Sequence, residues 1–175
     1  MAVHPHKDQR IGVFIDIQNL YHSSKNLYHA RVNYKELIKE LLDNRSLIVA
    51  TAYVVKSDAV EGEAAFFDAL TKAGLELRSK DLQVYHGGMK KADWDVGMAV
   101  DAIRMSDLLD VVILVTGDGD FIPLVEYLKW GKGRTVEVAA FGRSASGKIK
   151  EVADEFIDLA EKPKVILKKS LKRKK

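Results

Sequence analysis

The chain contains no cysteine. That excludes a disulfide framework, a thiolate nucleophile and any zinc or iron–sulfur site held by thiolates. No apolar run approaches the roughly 18 residues of a membrane span. The opening residues 1–8 lack the apolar stretch of a secretory signal, so a soluble cytoplasmic protein is the expectation. Internal repeats and long linkers are missing too. With 175 residues, 47% of them hydrophobic, the chain suits one domain with an ordinary core and not a disordered polymer.

A net charge of only +3 hides an uneven distribution. Residues 162–175 hold eight Lys/Arg and no acid, which leaves 20 basic against 25 acidic residues, a balance of −5, over residues 1–161. An acidic body is unlike a basic domain that coats DNA. The expected division is a domain over 8–161 and a basic C-terminal tail over 162–175, read either as a solvated end or as a contact for nucleic acid. Apolar Val165, Ile166, Leu167 and Leu171 leave a further reading for part of it, an edge strand docked on the body.

Apolar runs at 10–17, 47–55, 75–85, 111–116 and 135–141 read as strands, rich in branched and aromatic residues. Helical spacing fills the intervals. One helix begins near Asn19, and another follows an Asn33 cap with Leu37, Ile38, Leu41 and Leu42 inward. A third covers 58–73, with Ala65, Phe66, Ala69 and Leu70 inward and Gly74 at its end. Further helices are expected over 93–107, where Val96, Ala99, Val100 and Ile103 form a stripe, over 120–130 and over 147–160. This alternation predicts an α/β fold: a three-layer, doubly wound, mostly parallel sheet of Rossmann-like type, its five strands ordered 3-2-1-4-5.

Ligands of such sheets bind beyond the carboxyl ends of the strands, where strand order reverses. Acids gather there. Asp16-Ile17-Gln18-Asn19 follows the first strand and Thr116-Gly117-Asp118-Gly119-Asp120 the fourth, and these strands are neighbours in the predicted order. The helix at 93 opens on Asp93-Trp94-Asp95, and its start faces the same edge. Converging carboxylates repel one another unless a cation joins them, and Mg²⁺ or Mn²⁺ suits hard oxygen ligands. Asp93 reads as a cap of that helix and Asp120 also fits a helix start. Asp101 is turned about 120° from Asp95 and need not share its site.

In combination, Phe14-Ile15-Asp16-Ile17-Gln18-Asn19-Leu20, Asp95-Val96-Gly97-Met98-Ala99-Val100-Asp101-Ala102 and Leu114-Val115-Thr116-Gly117-Asp118-Gly119-Asp120-Phe121 resemble the NYN domain family. That is a LabA-like branch of the PIN-like nucleases, and the resemblance spans about residues 10–160. It implies a PIN-like fold, a divalent-metal site and ribonuclease activity. It also implies that Asp16, Asp95, Asp118 and Asp120 are the metal-binding and catalytic acids. By the same resemblance Asn19 matches a family position near the phosphate or metal, Thr116 matches the hydroxyl residue that precedes the acidic pair, and both are expected to contact substrate. The doubled acids Asp93 and Asp95 depart from the family's simpler pattern.

Metal-activated water would hydrolyse a phosphodiester without a histidine, and His4, His6, His22, His29 and His86 read as incidental. Substrate contacts are expected from Lys56, Lys90, Lys91, Arg143, Ser144 and Ser146, all near strand ends. Trp94 reads either as a base-stacking ring or as a half-buried residue at a helix start. The implied partner is RNA, preferably single-stranded; a homodimer is compatible with the pattern. Rival phosphate enzymes fit less well. Gln18 stands where a haloacid-dehalogenase-type phosphatase needs an acid, no Glu follows the first strand as in a TOPRIM-type nuclease, and Gly-x-Gly-x-x-Gly is missing. The alternative is a non-catalytic RNA-binding or regulatory module on the same fold.

Overall fold

A computed structural model describes residues 6–57, 61–88 and 90–167. The chain order is β1 (Arg10–Asp16), α1 (Ile17–Tyr28), β2 (Arg31–Val32), α2 (Tyr34–Leu42), β3 (Ser46–Lys56), α3 (Glu63–Lys72) and β4 (Glu76–Asp81). A short hairpin follows, β5 (Gln83–Val84) and β6 (Lys90–Lys91), then α4 (Asp95–Met105), β7 (Val111–Val115) and α5 (Ile122–Glu126). The chain goes on through β8 (Thr135–Ala140), α6 (Gly147–Val152), β9 (Glu155–Asp158) and β10 (Ile166–Leu167). Six strands form one parallel sheet in the order β4-β3-β1-β7-β8-β9.

Alternation along the central strands sends side chains to both faces, which is why those strands read as unbroken apolar runs. Ile11, Val13, Ile15, Val111, Ile113 and Val115 pack beneath α1, α2 and α3, against Leu20, Leu37, Leu41 and Leu70. Phe14, Tyr53, Val112, Leu114, Val136 and Val138 pack on the other face, against Met98, Ala102, Leu124, Leu128 and Ile149. Helices therefore cover both sides, and the predicted 3-2-1-4-5 order holds for the first five strands. Among the described residues no helix is long and apolar enough to cross a membrane.

Three local expectations are corrected. The helix expected over 147–160 stops at Val152, and Glu155–Asp158 becomes a sixth strand paired with β8. Ile149, Val152, Phe156 and Leu159 fit helical spacing, but the open edge of β8 offers backbone partners that a helix here would leave unpaired. In α3 the inward residues are Phe66, Phe67 and Leu70, while Ala65 and Ala69 are exposed. In α4 the buried face is Met98, Asp101 and Ala102, so Val96 and Val100 point outward. Gly74 follows α3 with φ 91°, the left-handed conformation its position requires.

The fold continues beyond 161. Val165 is fully buried, its carbonyl accepts the Asn33 N–H at 2.8 Å, and Ile166–Leu167 pairs antiparallel with Arg31–Val32. Residues 168–175, the rest of the basic tail, lie outside the described residues.

The amino-terminal edge of the sheet is tied by Asp110. Its carboxylate accepts the Arg10 backbone N–H at 2.7 Å and side-chain Nε–H and Nη2–H at 3.1 and 2.9 Å. These bonds hold the Asp110 carboxyl down at about 2. A carboxyl lowered on folding stabilises the protein above the ordinary carboxylate range and loses that contribution as pH falls through the folded value. Asp110→Asn should therefore unfold at lower temperature than wild type at pH 7. The difference should shrink between about pH 4 and pH 2. Melting curves across that window check this, and a difference that stays constant with pH contradicts it.

Candidate metal centre

The parallel sheet places the loops after β1 and β7 side by side, and side chains lace them together. Asp16 ends β1 and caps α1: one carboxylate oxygen accepts the Asn19 N–H at 3.2 Å, the other the Thr116 hydroxyl at 3.2 Å. Thr116 Oγ1 in turn accepts the Asp118 N–H at 3.2 Å, and Asn19 Oδ1 accepts the Gly117 N–H at 2.9 Å. Asp118 accepts the Asp120 N–H at 2.9 Å, which starts the turn over Gly119–Phe121. A Cβ at Gly117 would lie 2.9 Å from Ala145 Cα, so only glycine lets the loop after β8 close against this one. The Ser146 N–H donates to Gly117 O at 2.9 Å across that contact.

Within this frame one oxygen from each of Asp95, Asp118 and Asp120 lies within 4.8 Å of the others. Asp95 opens α4 and arrives from the far side of the crevice. Oxygens bound to one octahedral Mg²⁺ are about 3.0 Å apart when adjacent and about 4.2 Å apart when opposite, and only one of three pairs can be opposite, so the three carboxylates would draw together to share such an ion. The donor set is all hard oxygen, as Mg²⁺ and Mn²⁺ require. Among the described residues no Lys or Arg forms an ion pair with any of the three.

The electrostatics carry the mark of that missing charge. The Asp95 carboxyl is pushed up to about 6, first by burial and then by Asp93, Asp118, Asp16 and Asp120. The Asp16 carboxyl is also raised, chiefly by burial and further by Asp118 and Asp93, against the lowering effect of its bonds from Asn19 and Thr116. A cation would relieve both. Asp16, at the end of β1, is outside the three-oxygen group. Two of its hydrogen-bonding positions are occupied by Asn19 and Thr116, and a carboxylate has about four.

Other residues singled out by sequence take varied places. Asp93 accepts the Asp95 N–H at 3.2 Å, but the cap position of α4 is held by Trp94, so Asp93 stands one residue before the cap expected of it. Trp94 is half-buried, its Nε1–H donating to Val54 O at 2.9 Å and its ring under Lys80 Nζ at 4.4 Å; it is a packing residue, not a free ring. Asp101 accepts the Tyr53 hydroxyl at 2.8 Å and Arg104 at 3.1 Å, away from the crevice. Arg143 and Ser144 are exposed on the loop after β8, and Ser144 Oγ pairs with Ser23 Oγ at 3.0 Å. Lys56 is exposed at the end of β3, and Lys91 lies on β6, its side chain outside the described set.

One feature of the crevice was not legible. A groove of about 340 Å³ opens beside Asp95 and Asp120, walled by Val96, Ala99 and Ile103 of α4 and by Pro123, Leu124 and Tyr127. Sequence marks Val96, Ala99, Val100 and Ile103 as a helical stripe without showing which surface it meets. The available signal was that this helix is apolar on two faces, the stripe and Met98–Ala102, of which the sheet covers one.

The chain is similar to known proteins over most of its length. A family model described as NYN domain matches residues 10–160. The low amplitude and bright protein LabA of Synechococcus elongatus is 26% identical over 170 residues, covering 91% of this chain and 87% of that relative. A crystal structure of a protein of unknown function from Vibrio parahaemolyticus superposes with a TM-score of 0.84 at 28% identity, covering 94% of this chain and all of that one.

Proposed function

The chain belongs to the NYN domain family, a PIN-like nuclease family, and from that premise we propose that it is a metal-dependent endoribonuclease. The observation that carries this reading is the convergence of Asp95, Asp118 and Asp120 without a balancing cation. These three, with Asp16 as a fourth carboxylate from the β1 side, hold Mg²⁺ or Mn²⁺. Bound there, the ion lowers the pKa of water and neutralises charge developing on a phosphodiester.

The protein's own part is placement. Asn19 and Thr116 tie the loops after β1 and β7 together, Thr116 by bonding both the Asp16 carboxylate and the Asp118 backbone N–H. Arg143 and Ser144 on the loop after β8 offer charge and hydrogen bonds to flanking phosphates, and Lys91 is kept as a further candidate on its sequence position alone. The substrate class is nucleic acid, and single-stranded RNA is the choice that family membership supports. A cytoplasmic location follows as part of the same reading.

The test is digestion of a mixed single-stranded RNA pool and a matched DNA pool by the full chain, with Mn²⁺ or with a chelator. The reading expects internal cleavage of RNA only with metal. Faster cleavage of DNA reverses the substrate assignment, and binding of RNA without cleavage makes the chain a non-catalytic module. The tail adds an electrostatic contact on this account. Deleting 168–175 should weaken RNA binding and flatten its salt dependence, because fewer counterions are released, with the rate at saturating RNA unchanged. An unaltered salt slope makes those residues a solvated end.

A further inference from the structure

The groove between α4 and α5 is a shaped feature that the metal reading leaves unused. Its two walls are apolar, and its charged groups, Asp95 and Asp120, stand together at one end. Two of its apolar side chains are well exposed, Val96 by 76% and Tyr127 by 47%. Single exposed apolar residues need no explanation, but several facing one another across a concave surface mark a binding site. The volume, about 340 Å³, is at the lower end for small-molecule sites.

Tyr127 is held in place. It starts a π turn over Tyr127–Gly131, in which the Lys132 N–H donates to Tyr127 O at 3.0 Å. Its ring lies over Gly131, where a Cβ would come within 2.9 Å of ring carbons. Such turns inside helices occur disproportionately at functional positions.

A nucleotide divides its chemistry as this groove does, with an anion at one end and a flat, apolar-faced ring at the other. With a cation on the acids the mouth attracts phosphate, and the walls then receive what is attached to it. Resting on the nuclease reading above, we propose that the α4–α5 groove seats the base of the nucleotide next to the scissile phosphate, with Tyr127 as its stacking face. The walls offer apolar surface to the base's face and few groups to its edge, so the seat tolerates any base. A second copy of the chain suits the groove less well, because it would cover Asp95 and Asp120 and strip them of water.

The experiment uses the full chain and a set of short single-stranded RNAs of one sequence, each with an abasic residue at a different position. Cleavage in Mn²⁺ should fall about tenfold in kcat/KM when the abasic residue adjoins the cut bond. Tyr127→Ala should lower kcat/KM on intact RNA by a similar factor and have little further effect on that abasic RNA. In a binding measurement, 2-aminopurine at the same position should be quenched by wild type and not by Tyr127→Ala. The Mn²⁺-induced rise in melting temperature should be the same in both proteins.

Cleavage by wild type that is indifferent to every abasic position overturns the seat and leaves the nuclease reading standing. So does equal quenching by wild type and variant. RNA neither bound nor cut by wild type in Mn²⁺ overturns the nuclease reading and the seat together. A dimer in sedimentation that Tyr127→Ala and Val96→Asp each convert to monomer assigns the groove to a second copy, and the proposal falls.

Discussion

Asp118→Asn is expected to reduce metal-dependent RNA cleavage by more than the roughly 100-fold that loss of even an outer partner of a metal ligand can cost. The substitution removes one of three clustered charges and leaves the turn intact. An asparagine Oδ1 can still accept the Asp120 N–H that Asp118 now receives at 2.9 Å. The change therefore separates chemistry from folding, since the Gly117 and Asp118 N–H groups keep their bonds to Asn19 Oδ1 and Thr116 Oγ1. Initial rates over a Mn²⁺ series are the check, beside wild type prepared identically. A variant that keeps most of its activity removes Asp118 from the centre and attributes the wild-type signal to a contaminant or to other residues.

The largest effect on stability should come from a place far from the acids. Arg45 lies just after α2 and reaches Glu137 on β8 with two bonds, at 2.6 and 2.9 Å, where both side chains are almost wholly buried. The same guanidinium donates to Leu42 O at 3.0 Å and Leu41 O at 2.8 Å, so it closes the end of α2 onto the sheet. Glu137→Ala leaves that buried cation unpaired. The expected cost is about 3–5 kcal/mol, a fall in melting temperature of roughly 6–20 °C for a chain of this size. Replacing both partners with apolar residues of similar volume, Arg45→Met with Glu137→Leu, should recover most of the loss. Chemical denaturation of the two variants decides this. A double variant as unstable as the single one would mean that the Leu41 and Leu42 carbonyls, not the ion pair, carry the energy.

The order of the first five strands and the position of the acids were legible for one reason. A parallel sheet buries both faces of its strands, so each central strand announces itself as an apolar run, and the residues just beyond it sit at one known edge. Asp16, Asp95, Asp118 and Asp120 could be placed by counting from those runs. What escaped was decided by neighbours. The pattern of Ile149, Val152 and Phe156 fits a helix, and only the free edge of β8 turns 155–158 into a strand. Val96 and Val100 fit the core as well as Met98 and Ala102 do, and the sheet accepts one face of α4. The engagement of Asp16 by Asn19 and Thr116 depends on distances between loops 100 residues apart in sequence, which periodicity does not encode.

The central claim is that Asp95, Asp118 and Asp120 hold one divalent ion, and anomalous scattering from crystals soaked in Mn²⁺ tests it most directly. The account predicts a peak among these three carboxylates, with oxygen ligands at about 2.1–2.2 Å, and no such peak in Asp118→Asn. An empty crevice at saturating Mn²⁺, or an ion bound elsewhere while metal-dependent cleavage persists in Asp118→Asn, would contradict it.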